Sequence, residues 1–295
     1  MTSNISFFGA SVTKQKTGYA EMLKQYLKDE NIFIHGFGSC HIVDAGICNI
    51  DDVLTNNPDY CFIDWFTTGW VSTDTRTLDC LNTIIKKFSD KKCKLIFLFL
   101  LRKDHEKRIE FYNFMKNHLN KLHIAYIDIN DHLEYSESLL RDIVHTTDEG
   151  SEAYAKTIFE KFNIMKSTLK LPNVDIETKY SDLKMLPVNK IFHKNIIFDG
   201  DSEIVCFELE VGPNSSAIQF NDANVINIWD QWCHYKRNTF KIIKTNIDGN
   251  VVCNISTHID TSSCTKDINF DEYEKFLDLK KIYYIGNDLK IIDGL

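Results

Sequence analysis

Two short stretches hold side chains that could carry out acyl chemistry. The first is Gly9-Ala10-Ser11, where the apolar run Ile5-Ser6-Phe7-Phe8 stops at a turn of small residues. A serine on a strand-to-helix turn presents its hydroxyl at the carboxyl end of a sheet, where a nucleophile is needed. Gly9 and Ala10 suit such a turn because it leaves no room for larger side chains beside the backbone. The second stretch is Asp142-Ile143-Val144-His145. An aspartate three residues before a histidine can hold the imidazole Nδ1–H and leave the other ring nitrogen facing a hydroxyl. Nucleophile, base and orienting carboxylate are then all to hand, provided the fold brings residue 11 to residue 145.

The elements that must do this are readable from hydrophobic patterning. Up to about residue 170, short apolar runs at 5–8, 32–34, 60–63, 95–100 and 124–127 alternate with helical patterns at 19–27, 43–54, 78–88, 106–122 and 151–169. Short, continuously apolar strands alternating with helices predict a parallel sheet covered on both faces, a three-layer α/β/α domain with five strands. Loops at the carboxyl ends of such strands meet over one edge, so Ser11, the glycine-rich turn around Gly38 and Ser39, the Trp65–Trp70 loop and the 142–145 segment are expected together.

Near Pro172 the pattern changes. β-like runs at 196–198, 203–211, 217–220, 225–229, 239–245, 250–255 and 281–285 are punctuated by Asp199-Gly200-Asp201, Gly212-Pro213-Asn214 and Asp248-Gly249-Asn250. Many short strands with polar turns predict a β-sandwich or jelly roll, with Asp248-Gly249 as a hairpin turn. The expected division is a catalytic domain over residues 1–174 and a β-rich accessory domain over residues 175–295.

Composition narrows the function classes. A net charge of −8 and the lack of any basic run with interleaved aromatics argue against a nucleic-acid or anionic-membrane binder. The start of the chain has no basic segment ahead of a long apolar run, and its longest apolar stretch, 95–101, is too short to span a bilayer, so a cytoplasmic protein is expected. The nine cysteines form no CxxC pairs and read as reduced thiols, and no Cys/His cluster has zinc-ligand spacing. Cys40 beside His41 reads as a core or loop thiol.

Taken together, Gly-Ala-Ser after the first strand and Asp-x-x-His before the last helix resemble the SGNH (GDSL-type) hydrolases over about residues 4–168. The resemblance implies a flavodoxin-like fold, with Ser11 as nucleophile, His145 as general base and Asp142 as its partner. No metal or organic cofactor would be required. It also implies an oxyanion hole built from the Ser11 N–H, a main-chain N–H of the Gly38-Ser39 turn, and a side chain at Thr68, where the family has asparagine. The Thr67 hydroxyl is a second candidate donor. Ala10 stands where the family has an aspartate that is not part of the triad.

Trp65 and Trp70 could wall an acyl or sugar site or could pack their loop against the sheet. The Trp229–Tyr235 segment, aromatic and polar together, reads chiefly as core or domain interface. The expected activity is a serine esterase removing a small, acetyl-like group from a carbohydrate ester, the partner being a small-molecule or glycan substrate. The alternatives are an O-acyltransferase using the same residues, and a glycan-binding protein with a weakened site. Oligomeric state is not legible in the sequence.

Overall fold

A computed structural model describes residues 2–67, 72–172, 176–221, 223–256, 259–266, 269 and 272–292. The chain divides into two compact units, Met1–Ser181 and Asp182–Leu295.

The first unit is built on five strands: β1 (Asn4–Gly9), β2 (Asn31–Gly36), β3 (Tyr60–Asp64), β4 (Lys94–Phe99) and β5 (Ala125–Asp128). They form one sheet in the order β2-β1-β3-β4-β5, and every neighbouring pair is parallel. Among the described residues six α-helices accompany them: α1 (Ser11–Lys14), α2 (Tyr19–Tyr26), α3 (Ile50–Leu54), α4 (Thr75–Asp90), α5 (Ile109–Lys121) and α6 (Asp148–Met165). The apolar runs are continuous because both faces of the sheet are covered. Alternate side chains serve opposite layers: Phe7 and Phe62 stack at 4.9 Å, with Phe62 meeting Phe162 of α6, whereas Phe8 faces Phe88 of α4. The strand order reverses beside β1, which puts the end of β1 at the topological switch point where α/β sheets bind ligands. The helix expected over 43–54 is split, a π-helical turn at Ile42–Gly46 preceding α3.

The second unit is a single six-stranded antiparallel sheet in the order β6-β11-β7-β10-β8-β9. Its strands are β6 (Lys184–Phe192), β7 (Ile196–Val211), β8 (Ala217–Phe220), β9 (Ile226–Asn227), β10 (Arg237–Ser256) and β11 (Leu277–Ile292). Two expected turns are not turns. Asp199-Gly200-Asp201 and Asp248-Gly249-Asn250 lie opposite each other inside the paired strands β7 and β10, so Asp248-Gly249 is not a hairpin. These residues mark a fold in the sheet. Gly200 has φ +153°, and a Cβ there would lie 2.1 Å from the Asp288 carbonyl of β11, so only glycine fits. Beyond the fold, Phe207 returns to within 6.2 Å of Phe198 on the same strand. Nine residues of straight strand would hold these rings roughly 30 Å apart. The sheet therefore closes over itself and buries a sandwich-like core, in which Phe198, Phe207, Phe220, Trp229 and Cys253 meet. In the Trp229–Tyr235 segment Trp229 and Cys233 are buried, whereas Tyr235 is exposed.

Candidate functional site

The site is assembled from the ends of β1, β2 and β3 and the loop before α6. At the end of β1 the chain turns directly into α1, with Ser11 as its first residue. Gly9 is required by crowding, because a Cβ there would stand 2.4 Å from the Thr13 Oγ1 and 2.5 Å from the Asp64 carbonyl oxygen. The Ala10 N–H donates to that same carbonyl at 3.1 Å, pinning the turn to β3.

Asp142 and His145 lie on a tight loop. Leu140 and Thr146 pair across its base, and the Arg141 N–H donates to the His145 carbonyl at 2.9 Å. Within it, Asp142 Oδ1 accepts the main-chain N–H groups of Val144 (3.0 Å) and His145 (2.8 Å). The Asp-x-x-His spacing thus closes a turn in which the carboxylate meets its own histidine: Nδ1 of His145 lies 2.9 Å from Asp142 Oδ2. Partial burial works against ionisation of Asp142, but the two N–H groups and the imidazole outweigh it and hold the carboxyl below its usual range. His145 Nε2 lies 2.8 Å from Ser11 Oγ, so residues 134 positions apart form one hydrogen-bonded chain.

Two braces set this distance. The Gln15 side chain, next after α1, donates to the Thr146 carbonyl at 2.9 Å, tying the serine turn to the histidine loop. The Lys103 N–H donates to the Ile143 carbonyl at 3.0 Å, tying the loop after β4 to the same segment.

The glycine-rich turn after β2 places Ser39 in the left-handed region, with φ +57°, and leaves it exposed. A non-glycine residue there reorients the adjoining peptides at a conformational cost, a feature that clusters at functional sites. Gly38 has open space around it, so its lack of a side chain answers no internal crowding.

The third loop departs from the expected roles. Thr68 and Trp70 lie outside the described residues. Trp65 is 2% exposed and packs edge-on against Phe8 at 5.1 Å, so it supports the loop from the core instead of walling a pocket. Thr67 is fully buried; its hydroxyl donates to Asp64 Oδ1 and its carbonyl accepts from Arg102, which removes it as a free oxyanion donor.

The composition-based reading passed over the group beneath this site. Asp64, 0% exposed, ends β3 directly under the serine turn. Its Oδ2 accepts the Thr13 hydroxyl of α1 at 3.1 Å, and Thr13 Oγ1 lies 2.9 Å from the Tyr19 hydroxyl. Burial raises its pKa from 3.8 to about 6, although the Thr67 and Thr13 hydroxyls and the Thr67 N–H pull the other way. A lone acid closing an otherwise apolar buried run was the available signal, since a buried carboxylate must find donors.

A five-stranded parallel α/β unit followed by a folded-over antiparallel sheet is an architecture shared with a solved two-domain structure. The chain is similar in structure to a two-domain esterase (CEX) active on acetylated mannans, crystallised with mannopentaose, at a TM-score of 0.69 and 11% identity, covering 96% of this chain and 90% of that one. Similarity over part of the chain extends to the acetyl xylan esterase AlAXEase (TM-score 0.45, 22% identity, 54% of this chain and 98% of that one). It extends also to a member of the lipolytic protein G-D-S-L family from Veillonella parvula DSM 2008 (TM-score 0.45, 18% identity, 54% and 98%). No family model matches the sequence, and no curated protein is recognisably similar to it. Among the described residues no helix is long and apolar enough to cross a membrane.

Proposed function

We propose that this protein is a serine esterase that removes a small acyl group, acetyl-like in size, from a carbohydrate ester. The observation that carries the reading is the continuous chain from Asp142 through His145 to Ser11, with contacts of 2.9 and 2.8 Å. Ser11 Oγ attacks the ester carbonyl carbon while His145 Nε2 takes its proton. The carbonyl oxygen becomes an oxyanion, for which the N–H groups of Ser11 and Ser39 are the assigned donors. Collapse breaks the bond to the sugar oxygen, and His145 returns the proton to that leaving group. Water then gives a proton to His145 and attacks the acyl-enzyme, releasing the carboxylic acid and restoring the Ser11 hydroxyl. Asp142, kept ionised, holds the imidazole and stabilises its charged form.

The carbohydrate part of the reading draws on the likeness, along nearly the whole chain, to an esterase active on acetylated mannans. Acetate release from acetylated mannan tests it. Wild-type protein is expected to release acetate and Ser11→Ala none. Equal release by the two proteins would exclude Ser11 as nucleophile, and no release by wild type from acetylated mannan or xylan would exclude the substrate class.

A further inference from the structure

The serine turn is held from below by a buried acid that takes no part in the acyl chemistry itself. We infer that Asp64 is a positioning residue for Ser11: acting through the Thr13 hydroxyl, its carboxylate fixes the four-residue helix that carries the nucleophile at the distance His145 needs. The inference rests on the reading of Ser11 as nucleophile.

Three observations carry it. The first is the direction of the hydrogen bonds. An ionised carboxylate only accepts, so Thr13 must donate to Asp64 Oδ2 and Thr67 to Oδ1. Having spent its proton on Asp64, Thr13 Oγ1 accepts from the Tyr19 hydroxyl, so the chain Tyr19–Thr13–Asp64 has a single polarity and α1 a single placement. The second is the lack of another task for this acid. Arg102, the cation of the neighbouring loop, gives its Nε and Nη2 to Asp104 and its Nη1 to the Thr67 carbonyl. Among the described residues Asp64 forms no ion pair. Keeping a carboxylate fully buried without a cation is costly, and such costs are characteristic of functional sites. The third is local weakness. Helix α1 is one turn long, its N-cap Ala10 offers no side-chain cap, and a helix this short does not hold itself. Thr13 is its one side chain bonded to β3, two residues from Ser11.

The environment makes this support pH-sensitive. Around Asp64 stand Thr13 of α1, which donates to it, Thr67 of its own loop, and the hydroxyl-bearing rings of Tyr19 of α2, Tyr154 of α6 and Tyr112 of α5, each of which feels its charge; Arg102, Arg108 and Asp104 act on Tyr112, and Cys61 lies on Asp64's own strand. Tyr19, Tyr112, Tyr154 and Cys61 are all raised by burial and stay neutral at physiological pH, so Asp64 is the member of this buried group that changes charge in the acid range. Protonation of Asp64 removes the requirement that Thr13 donate to it, and α1 loses its single placement.

The test compares Thr13→Val, Thr13→Ser, Asp64→Asn and the double variant Asp64→Asn/Thr13→Val in the full chain, with p-nitrophenyl acetate as substrate and a fluorophosphonate as label for Ser11. Displacement of a reacting atom by about 1 Å costs on the order of 10²-fold. Thr13→Val is therefore expected to lower kcat by about 10- to 100-fold with KM within about twofold, and Thr13→Ser, which keeps the hydroxyl, to recover most of the loss. The double variant should be little worse than either single one, because both break the same link. Wild type should lose kcat in acid with more than one protonation and Asp64→Asn with one fewer. A Thr13→Val protein with wild-type kcat and labelling rate, or an unchanged acid limb in Asp64→Asn, overturns the positioning role alone. A wild-type protein that the fluorophosphonate does not label at Ser11 overturns the nucleophile reading, and the positioning role with it. Should Asp64→Asn fail to fold, the Thr13 pair still decides.

Discussion

Replacing Asp64 by asparagine changes the pH dependence of stability in a way that can be worked out beforehand. The folded-state pKa of Asp64 is raised from 3.8 to about 6, by burial first of all. Between those values the folded protein holds a proton that the unfolded chain has released, so stability falls as pH rises. The contribution is fully present below about pH 4 and is lost as pH passes through about 6. At 1.36 kcal/mol per unit, a shift of roughly two units corresponds to about 3 kcal/mol. Asparagine has no such ionisation. Relative to wild type, Asp64→Asn should therefore gain about 2 kcal/mol on going from pH 4 to pH 7.5, because at pH 4 the unfolded chain has already released more than half of this proton. Any hydrogen bond that the substitution weakens or improves independently of pH cancels in that comparison. Hydrogen exchange at the buried amides of β1 and β3 reads the opening free energy of the α/β unit without contribution from the second unit. A difference between the two proteins that stays flat within about 0.5 kcal/mol across this range would refute the reasoning, because a buried, cation-free carboxylate cannot titrate as it does in water.

Two further outcomes follow from the geometry. Asp142→Asn keeps the size of the side chain but removes the charge that stabilises the protonated imidazole; with the Ser11–His145 contact retained, kcat on p-nitrophenyl acetate should fall by about 10²- to 10⁴-fold. Gly36→Ala places a Cβ 2.5 Å from the backbone of Lys14, so it forces α1 away from β2. It should cost about 1–3 kcal/mol in chemical unfolding and lower kcat as well, whereas Gly38→Ala, with open space around it, should leave stability unchanged.

Local signals carried far in this chain. The five parallel strands follow from apolar runs that need no tertiary information, and the Asp142–His145 contact is contained within one turn, so its residue types and spacing suffice to announce it. Features that depend on pairing were hidden. Asp248-Gly249 has the composition of a hairpin turn, and only its register opposite Gly200 makes it part of a fold in the sheet. Trp65 and Thr67 lie on the expected loop, but their directions depend on Phe8 and Asp64, which are far away in sequence. Asp64 itself reads as the polar end of a strand until its donors, Thr13 and Thr67, are brought together by the fold. Ala10, next to the nucleophile, carries no acid, and the carboxylate under the serine turn is supplied from β3.

The central claim is that Ser11 forms the acyl-enzyme. It is tested most directly by treating the protein with a fluorophosphonate and locating the adduct by peptide mass mapping. One adduct, on Ser11, is expected, with loss of esterase activity in proportion to labelling and no adduct in Ser11→Ala. An adduct on another residue, or full activity in a protein labelled at Ser11, would contradict it.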